Sequence, residues 1–298
     1  MTNEKKLILK RTLIYLCFAF IPPFIAAFVY VGFFGWTMEN MYYQVITSFS
    51  MLCPAIANIL TRIVTKEGFE NCLFKMKIKG NIRYIVMAFL MPVVYGTVSA
   101  FAAALFLMPS DAFGEIFKNF DFGEFVSMII YVLAFSSLVS LFGFGEEFGW
   151  RGYLTPKLEQ FMPFPAAIAV SGIIWGMWHA PIIACGHNFG KDYFMYPYMG
   201  FILMCVFCIF IGFYFTMLTK AANSAIPAGI AHMVKNNAFA VITGCWLSGT
   251  HYFNEDIMSG INYSATTLLA TSITCLITGI VMILLRKKGA QKMFFHSN

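Results

Sequence analysis

Long apolar stretches, each about the length of a bilayer crossing, alternate with short polar connections along most of the chain. An α-helix needs ~20 apolar residues to cover ~30 Å of hydrocarbon. On that basis the pattern predicts eight spans, near 12–34, 42–62, 84–108, 125–154, 166–185, 196–218, 225–246 and 264–285. The fold class expected is all-α, a polytopic transmembrane helical bundle. The first apolar stretch, Thr12 to Phe34, exceeds the ~7–15-residue core of a signal peptide and has no clear small-x-small site after it, so it is read as a span. No internal repeat, low-complexity tract or soluble domain is visible.

Charge orients these spans. With a cytoplasmic N-terminus, the inside segments hold Lys5, Lys6, Lys10 and Arg11, then the cluster from Arg62 to Arg83, then Arg151, Lys157, Lys220, Arg286, Lys287, Lys288 and Lys292. That is 17 of the 20 basic residues, the positive-inside pattern. Lys118 and Lys191 fall outside, and Lys235 lies within a span. Glu39, Asp111, Glu115, Asp121, Glu124, Asp192, Glu255 and Asp256 crowd the opposite loops. Both termini are therefore expected in the cytoplasm, and the localisation is a multi-pass integral membrane protein of the cell membrane. The basic loop 64–83 reads as a topology signal, with an interfacial helix against anionic headgroups as the lesser reading.

Composition agrees. The chain of 298 residues is 59% hydrophobic and 11% charged, with a mean hydropathy of +0.73, whereas soluble domains run nearer ~45–50% apolar and ~25% charged. The net charge of +6 reports membrane orientation and implies no nucleic-acid partner. Eight cysteines are scattered, mostly in apolar runs. Cys205 and Cys208 are spaced C-x-x-C but lack a partner pair, so they read as small buried apolar residues, with no disulfide framework or zinc ribbon.

Against this background the intramembrane polar groups stand out, because each ionisable side chain in hydrocarbon costs at least ~2.5–3.5 kcal/mol. The string Gly145-Glu146-Glu147-Phe148-Gly149-Trp150-Arg151 places two carboxylates and a guanidinium together. On a helix Glu147 and Arg151 are four apart and can pair, while Glu146 points some 100° away. That arrangement suits one structural and one reactive carboxylate; two glutamates snorkelling to the cytoplasmic end is the plainer alternative. Trp175 and His179 are also four apart, and Pro181 disfavours a helix at Ala180 and should kink or end it. His232 and Asn236 form a third i, i+4 pair. Asn236 could donate to an oxyanion, and interhelical bonding is the alternative. Asn237 faces elsewhere and takes the latter reading. At ~1.5 Å per residue, His232 and Glu146 lie ~10 Å from the cytoplasmic ends of their spans and His179 ~20 Å, which leaves their meeting open.

Other intramembrane protease patterns are missing. No H-E-x-x-H zinc motif and no G-x-S-G nucleophile occur. Gly143-Phe144-Gly145-Glu146 imitates an aspartyl G-x-G-D, but no span holds a second aspartate, and Cys185 lies at the outer end of its span. The three motifs together, Glu146 to Arg151, Trp175 to His179 and His232 to Asn236, in that order on successive helices, resemble the CAAX protease and bacteriocin-processing (CPBP, Abi) family, which includes the type II CAAX prenyl endopeptidases. The resemblance covers roughly 143–240, with Trp175 where eukaryotic members tend to have Phe, and the eight-span bundle agrees with it.

That resemblance implies a membrane protease in which Glu146 and His179 activate a water, His232 and Asn236 stabilise the oxyanion, and Glu147 with Arg151 holds the site together. Residues 1–124 would then be scaffold spans, 125–246 the catalytic core and 247–298 the last span with a basic tail. The expected partners are the bilayer and a hydrophobic or lipidated peptide or protein, either a CAAX-type or a bacteriocin-like precursor. No obligatory cofactor is expected. Zinc on Glu146, His179 and His232 is the metalloprotease alternative, two His and a Glu leaving an open position. Proton relays also use intramembrane Glu and His, so a proton-coupled transporter is the rival from another class, although no repeat of the transporter kind is visible. A non-catalytic immunity factor on the same scaffold is the third reading.

Overall fold

The computed structural model describes residues 2–254, 257 and 260–287, with the side chains of Arg286 and Lys287 left out. Glu255 and Asp256 of the expected outer loop, and Lys288 and Lys292 of the basic tail, lie outside the described residues, as do those two side chains. All regular structure among the described residues is helical. Five stretches are long and apolar enough to cross a membrane: Asn3–Phe34, Met41–Val64, Ile82–Leu107, Tyr198–Ala222 and Ile261–Leu285. Ala112–Asn119 with Phe122–Leu138, bent by 82°, makes a sixth if the pair is one span. The protein is a multi-pass membrane protein.

The helices are α1 (Asn3–Phe34), α2 (Met41–Ser50), α3 (Cys53–Val64), α4 (Ile82–Leu107), α5 (Ala112–Asn119) and α6 (Phe122–Leu138). They continue as α7 (Ser140–Gly149), α8 (Thr155–Leu158), α9 (Phe164–Trp178), α10 (Ala180–Ile183), α11 (Tyr198–Ala222), α12 (Ile226–Leu247) and α13 (Ile261–Lys287). Three expected spans thus differ from the pattern reading. The stretch 125–154 is two helices meeting at Val139, followed by a π-helical turn, Trp150–Leu154. The stretch 166–185 breaks after Trp178, as Pro181 led us to expect, but Ala180 itself is helical: it opens the short helix α10, with Pro181 in the first turn, where the missing N–H leaves no helical bond unmade. The stretch 225–246 is one helix, α12, but its polar residues keep it below the hydropathy of a plain span. The π turn has a local cause in Pro156, which has no N–H to donate and whose ring crowds the carbonyl four residues back.

Close backbone approach sets the packing around the site. A side chain at Gly143 on α7 would collide with the Gly229 carbonyl on α12, and one at Gly229 with the Phe144 backbone. The facing glycines let α7 and α12 touch, and one turn further along each helix lie Glu146, Glu147 and His232. Gly172 and Gly176 let α9 approach Ile209 and Cys205 of α11 in the same way. On the other side of α7, Asn58 of α3 donates to the Phe148 carbonyl at 2.9 Å, and Arg62 donates to the Asn58 amide oxygen at 2.7 Å. Tyr15, Trp150, Tyr153 and Trp178 fill the space between α1 and these helices with edge and tilted ring contacts. Trp178 also donates its indole N–H to the Ala19 carbonyl at 3.0 Å. That carbonyl is available because Pro23, four residues on, has no N–H.

Candidate active site

Glu146, Glu147, Arg151 and His232 are all buried. Glu147 and Arg151 form the expected i, i+4 pair, 3.2 Å apart. The guanidinium lies between partners, its Cζ 4.1 Å from the centre of the Trp175 ring and its Nη2 against Gly212. Glu147 Oε1 also receives His232 Nδ1 at 2.8 Å. Because a carboxylate is the acceptor, Nδ1 carries the hydrogen and Nε2 is left for other use. Nε2 is 3.9 Å from Glu146 Oε1.

Glu146 has a different surround. Its Oε2 accepts the Trp175 indole N–H at 2.7 Å and the Trp150 indole N–H at 3.4 Å. Two indoles therefore orient one oxygen and leave Oε1 towards His232. The two adjacent glutamates are thus divided by their partners: Glu147 is enclosed by Arg151 and His232, and Glu146 reaches the cavity.

His179 sits where α9 ends. Its backbone N–H turns to the Gly176 carbonyl at 3.1 Å, a tighter bond than the α-helical one to Trp175. The Trp175 carbonyl accepts the His179 ring instead, 2.8 Å from Nδ1. A carbonyl only accepts, so Nδ1 is again the protonated nitrogen and Nε2 holds the lone pair. The break before Pro181 thus fixes the tautomer.

Glu146, His179, His232 and Asn236 line one cavity of about 430 Å³, whose apolar walls include Pro23 of α1, Ile46 of α2 and Met204, Phe207 and Ile211 of α11. The different depths read for His179 and His232 therefore do not separate them. Glu147 and Arg151 stand behind this wall and do not reach the cavity. Asn236 is exposed on its rim and bonds to no described residue. Asn237 faces away, donating to Met233 O and Ser136 Oγ. Among the described residues no group of three His, Cys, Asp or Glu side chains is arranged to hold a metal ion. Glu146 in particular already commits Oε2 to the indoles.

Residues 123–239 match the family described as type II CAAX prenyl endopeptidase, Rce1-like. The resemblance carried by the three motifs is borne out. The Rce1-like segment runs from the start of α6 into α12 and contains all six motif residues. CAAX prenyl protease 2 of Methanococcus maripaludis is 31% identical over 133 residues, which cover 43% of this chain and 45% of that protein. The chain thus aligns with less than half the length of that relative. Helices α1 to α4 lie outside the Rce1-like segment, yet α1 and α2 supply part of the cavity wall.

Five residues of the site escaped the pattern reading. Trp150 was visible inside the motif but had no assigned partner. Gly212 and the Gly143–Gly229 contact carry no chemistry of their own, although the spacings Gly145-x-x-x-Gly149 and Gly172-x-x-x-Gly176 signal close helix contact. Lys235, noted only as lying within a span, lines the cavity beside Asn236.

Proposed function

We propose that the protein is an intramembrane endopeptidase of the CAAX prenyl type, hydrolysing a peptide bond with a water activated by Glu146 and His179. The observation that carries this reading is the buried Glu146 carboxylate. One oxygen is held by two indole N–H groups, and the other opens on a cavity shared with two imidazoles and a free amide.

In this reading a water in the cavity gives a proton to Glu146 Oε1, and its oxygen adds to the scissile carbonyl carbon. His179 Nε2, unprotonated because Nδ1 is bound to Trp175, accepts a hydrogen bond from the same water and keeps its lone pair aimed at the carbon. The carbonyl π electrons move to oxygen, and Asn236 Nδ2–H and the His232 imidazole stabilise the resulting oxyanion. Collapse expels the amine, which takes the proton from Glu146. Arg151 holds Glu147, and Glu147 holds His232, so these two act by positioning. The apolar walls suit a hydrophobic or lipidated segment beside the scissile bond. A zinc route through Glu146, His179 and His232 finds no support in the donor arrangement, and no step here depends on a metal.

The test is direct. Purified wild-type protein cleaves a prenylated CAAX-type or other hydrophobic peptide, and Glu146→Ala abolishes turnover while unfolding at a similar temperature. Undiminished cleavage by that variant removes Glu146 from the mechanism. Substrate flux through proteoliposomes surviving Glu146→Gln, with no peptidase activity in wild type, replaces the protease by a transporter.

A further inference from the structure

Lys235 precedes Asn236 on α12 and lines the same cavity as Glu146, His179 and His232. Its ammonium lies 4.9 Å from the centre of the Phe207 ring and 6.0 Å from that of Phe239. No carboxylate among the described residues comes within ion-pair distance of it. The other intramembrane cation, Arg151, is paired with Glu147. Ring faces offset only part of the cost of taking an ammonium out of water. Among the described residues the cavity therefore holds a cation with no carboxylate in contact, the nearest cavity carboxylate, Glu146, being bound to two indoles.

We propose that Lys235 is the specificity-determining residue that anchors the C-terminal carboxylate of the substrate peptide. This deepens the endopeptidase reading above and rests on it. Reach sets the limit. Lys235 is three residues from His232, ~4.5 Å along the helix axis, and its side chain adds ~6 Å. An extended peptide spans at most ~3.3–3.6 Å per residue, so three residues cover ~10 Å, the separation these two groups can bridge. A lipidated cysteine followed by three residues and a carboxylate has that length. Its lipid would face the apolar wall at Met204 and Ile211.

The experiment uses two prenylated peptides that differ only at the last group, carboxylate against carboxamide. Each is offered to the full-length wild type, Lys235→Met and Lys235→Arg in lipid nanodiscs. Turnover gives KM and kcat, and fluorescence anisotropy of labelled peptide on Glu146→Gln, with and without Lys235→Met, gives binding without hydrolysis. Amidation should weaken wild type about 10–100-fold, the effect of one bond to a charged group, in KM and in Kd. Lys235→Met should erase the difference between the peptides, and Lys235→Arg should keep it.

Discrimination that persists in Lys235→Met places the anchor elsewhere and overturns the proposal, as does equal handling of both peptides by wild type. An amidated peptide regaining Lys235-dependent binding through an acidic last side chain overturns the C-terminal selection. If wild type neither binds nor cleaves either peptide, the endopeptidase reading falls and takes this one with it.

Discussion

Gly212→Ala is the sharpest test of the positioning chain, because two effects of opposite sign act at one atom. Gly212 lies inside α11, where alanine normally stabilises a helix by about 1 kcal/mol. Here the new methyl would overlap Arg151 Nη2 and lie 3.5 Å from Cζ. The guanidinium cannot simply retreat, since the Trp175 ring lies 4.1 Å from it. Restoring ordinary contact takes a shift of about 1 Å, enough to open the 3.2 Å pair with Glu147. Overpacking costs about 1–3 kcal/mol, and an opened buried ion pair about 3–5 kcal/mol. After partial relaxation and the helix gain, the expected net loss is about 2–4 kcal/mol. Because Glu147 orients His232, a displacement of about 1 Å should also lower kcat roughly 10²-fold. Gly244→Ala is the control: it is also inside a helix, α12, and a methyl there meets nothing within 4 Å. Chemical unfolding in one detergent and initial rates on one peptide read both variants. If Gly212→Ala is as stable as Gly244→Ala and as active as wild type, Arg151 is not held as described.

The remaining predictions touch other parts of the molecule. Asn236→Ala should lower kcat about 10²–10³-fold with little change in KM, the usual loss for one oxyanion donor; a change confined to KM would make it a substrate contact. Exhaustive chelation should leave activity intact at negligible metal content by elemental analysis, whereas loss followed by recovery with stoichiometric zinc would establish the metal route. Glu67, in the loop after α3, is clasped by Lys157, Tyr153 and Arg11. Burial pushes its carboxyl up, but hydrogen bonds from Lys157 and Tyr153 and the charges of Lys157 and Arg11 together hold it below its ordinary value of 4.5. A depressed folded value means stabilisation above pH ~4.5 that is lost as pH falls through the lower folded value. Tm of wild type should therefore drop below that pH more steeply than Tm of Glu67→Gln, and parallel curves would deny the clasp a stabilising role.

The helical bundle was legible because hydrocarbon imposes its demand residue by residue. Every predicted span corresponds to a helix or to adjoining helices, and the charged groups sort to two ends. Glu67, Arg62 and Lys157 meet before α4 begins, and Asp111 with Tyr252, and Glu115 with His251, meet beyond its far end. The breaks were harder to read. A window of apolar residues does not distinguish one helix over 125–154 from two helices with a π turn. Only the proline at 156 hinted at the irregularity. Likewise Met51 and Leu52, between α2 and α3, lie where Gly145 leaves room for them, a contact that spans 93 positions of sequence.

The candidate site divides along the same line between local and long-range. Spacing along one helix showed the Glu147–Arg151 pair and separated Glu146 from it, because i, i+4 geometry needs no knowledge of the fold. What spacing cannot show is which residue of another helix completes each group. Trp175 shares a helical face with His179, and that much was visible. Its indole bond to Glu146 and its carbonyl bond to the His179 ring required α9 to end at Trp178 and to lie beside α7. One tryptophan thus orients both groups proposed to handle the water, through opposite ends of the residue. Its ring meanwhile covers the guanidinium that fixes Glu147 and, through it, His232. A phenylalanine at this position would lose the indole bond and part of the ring contact with Arg151. The carbonyl bond to His179 belongs to the backbone and would survive the exchange. Deletion of the indole N–H and disruption of the α9 terminus are therefore separable perturbations. The first acts chiefly on Glu146, and the second chiefly on His179.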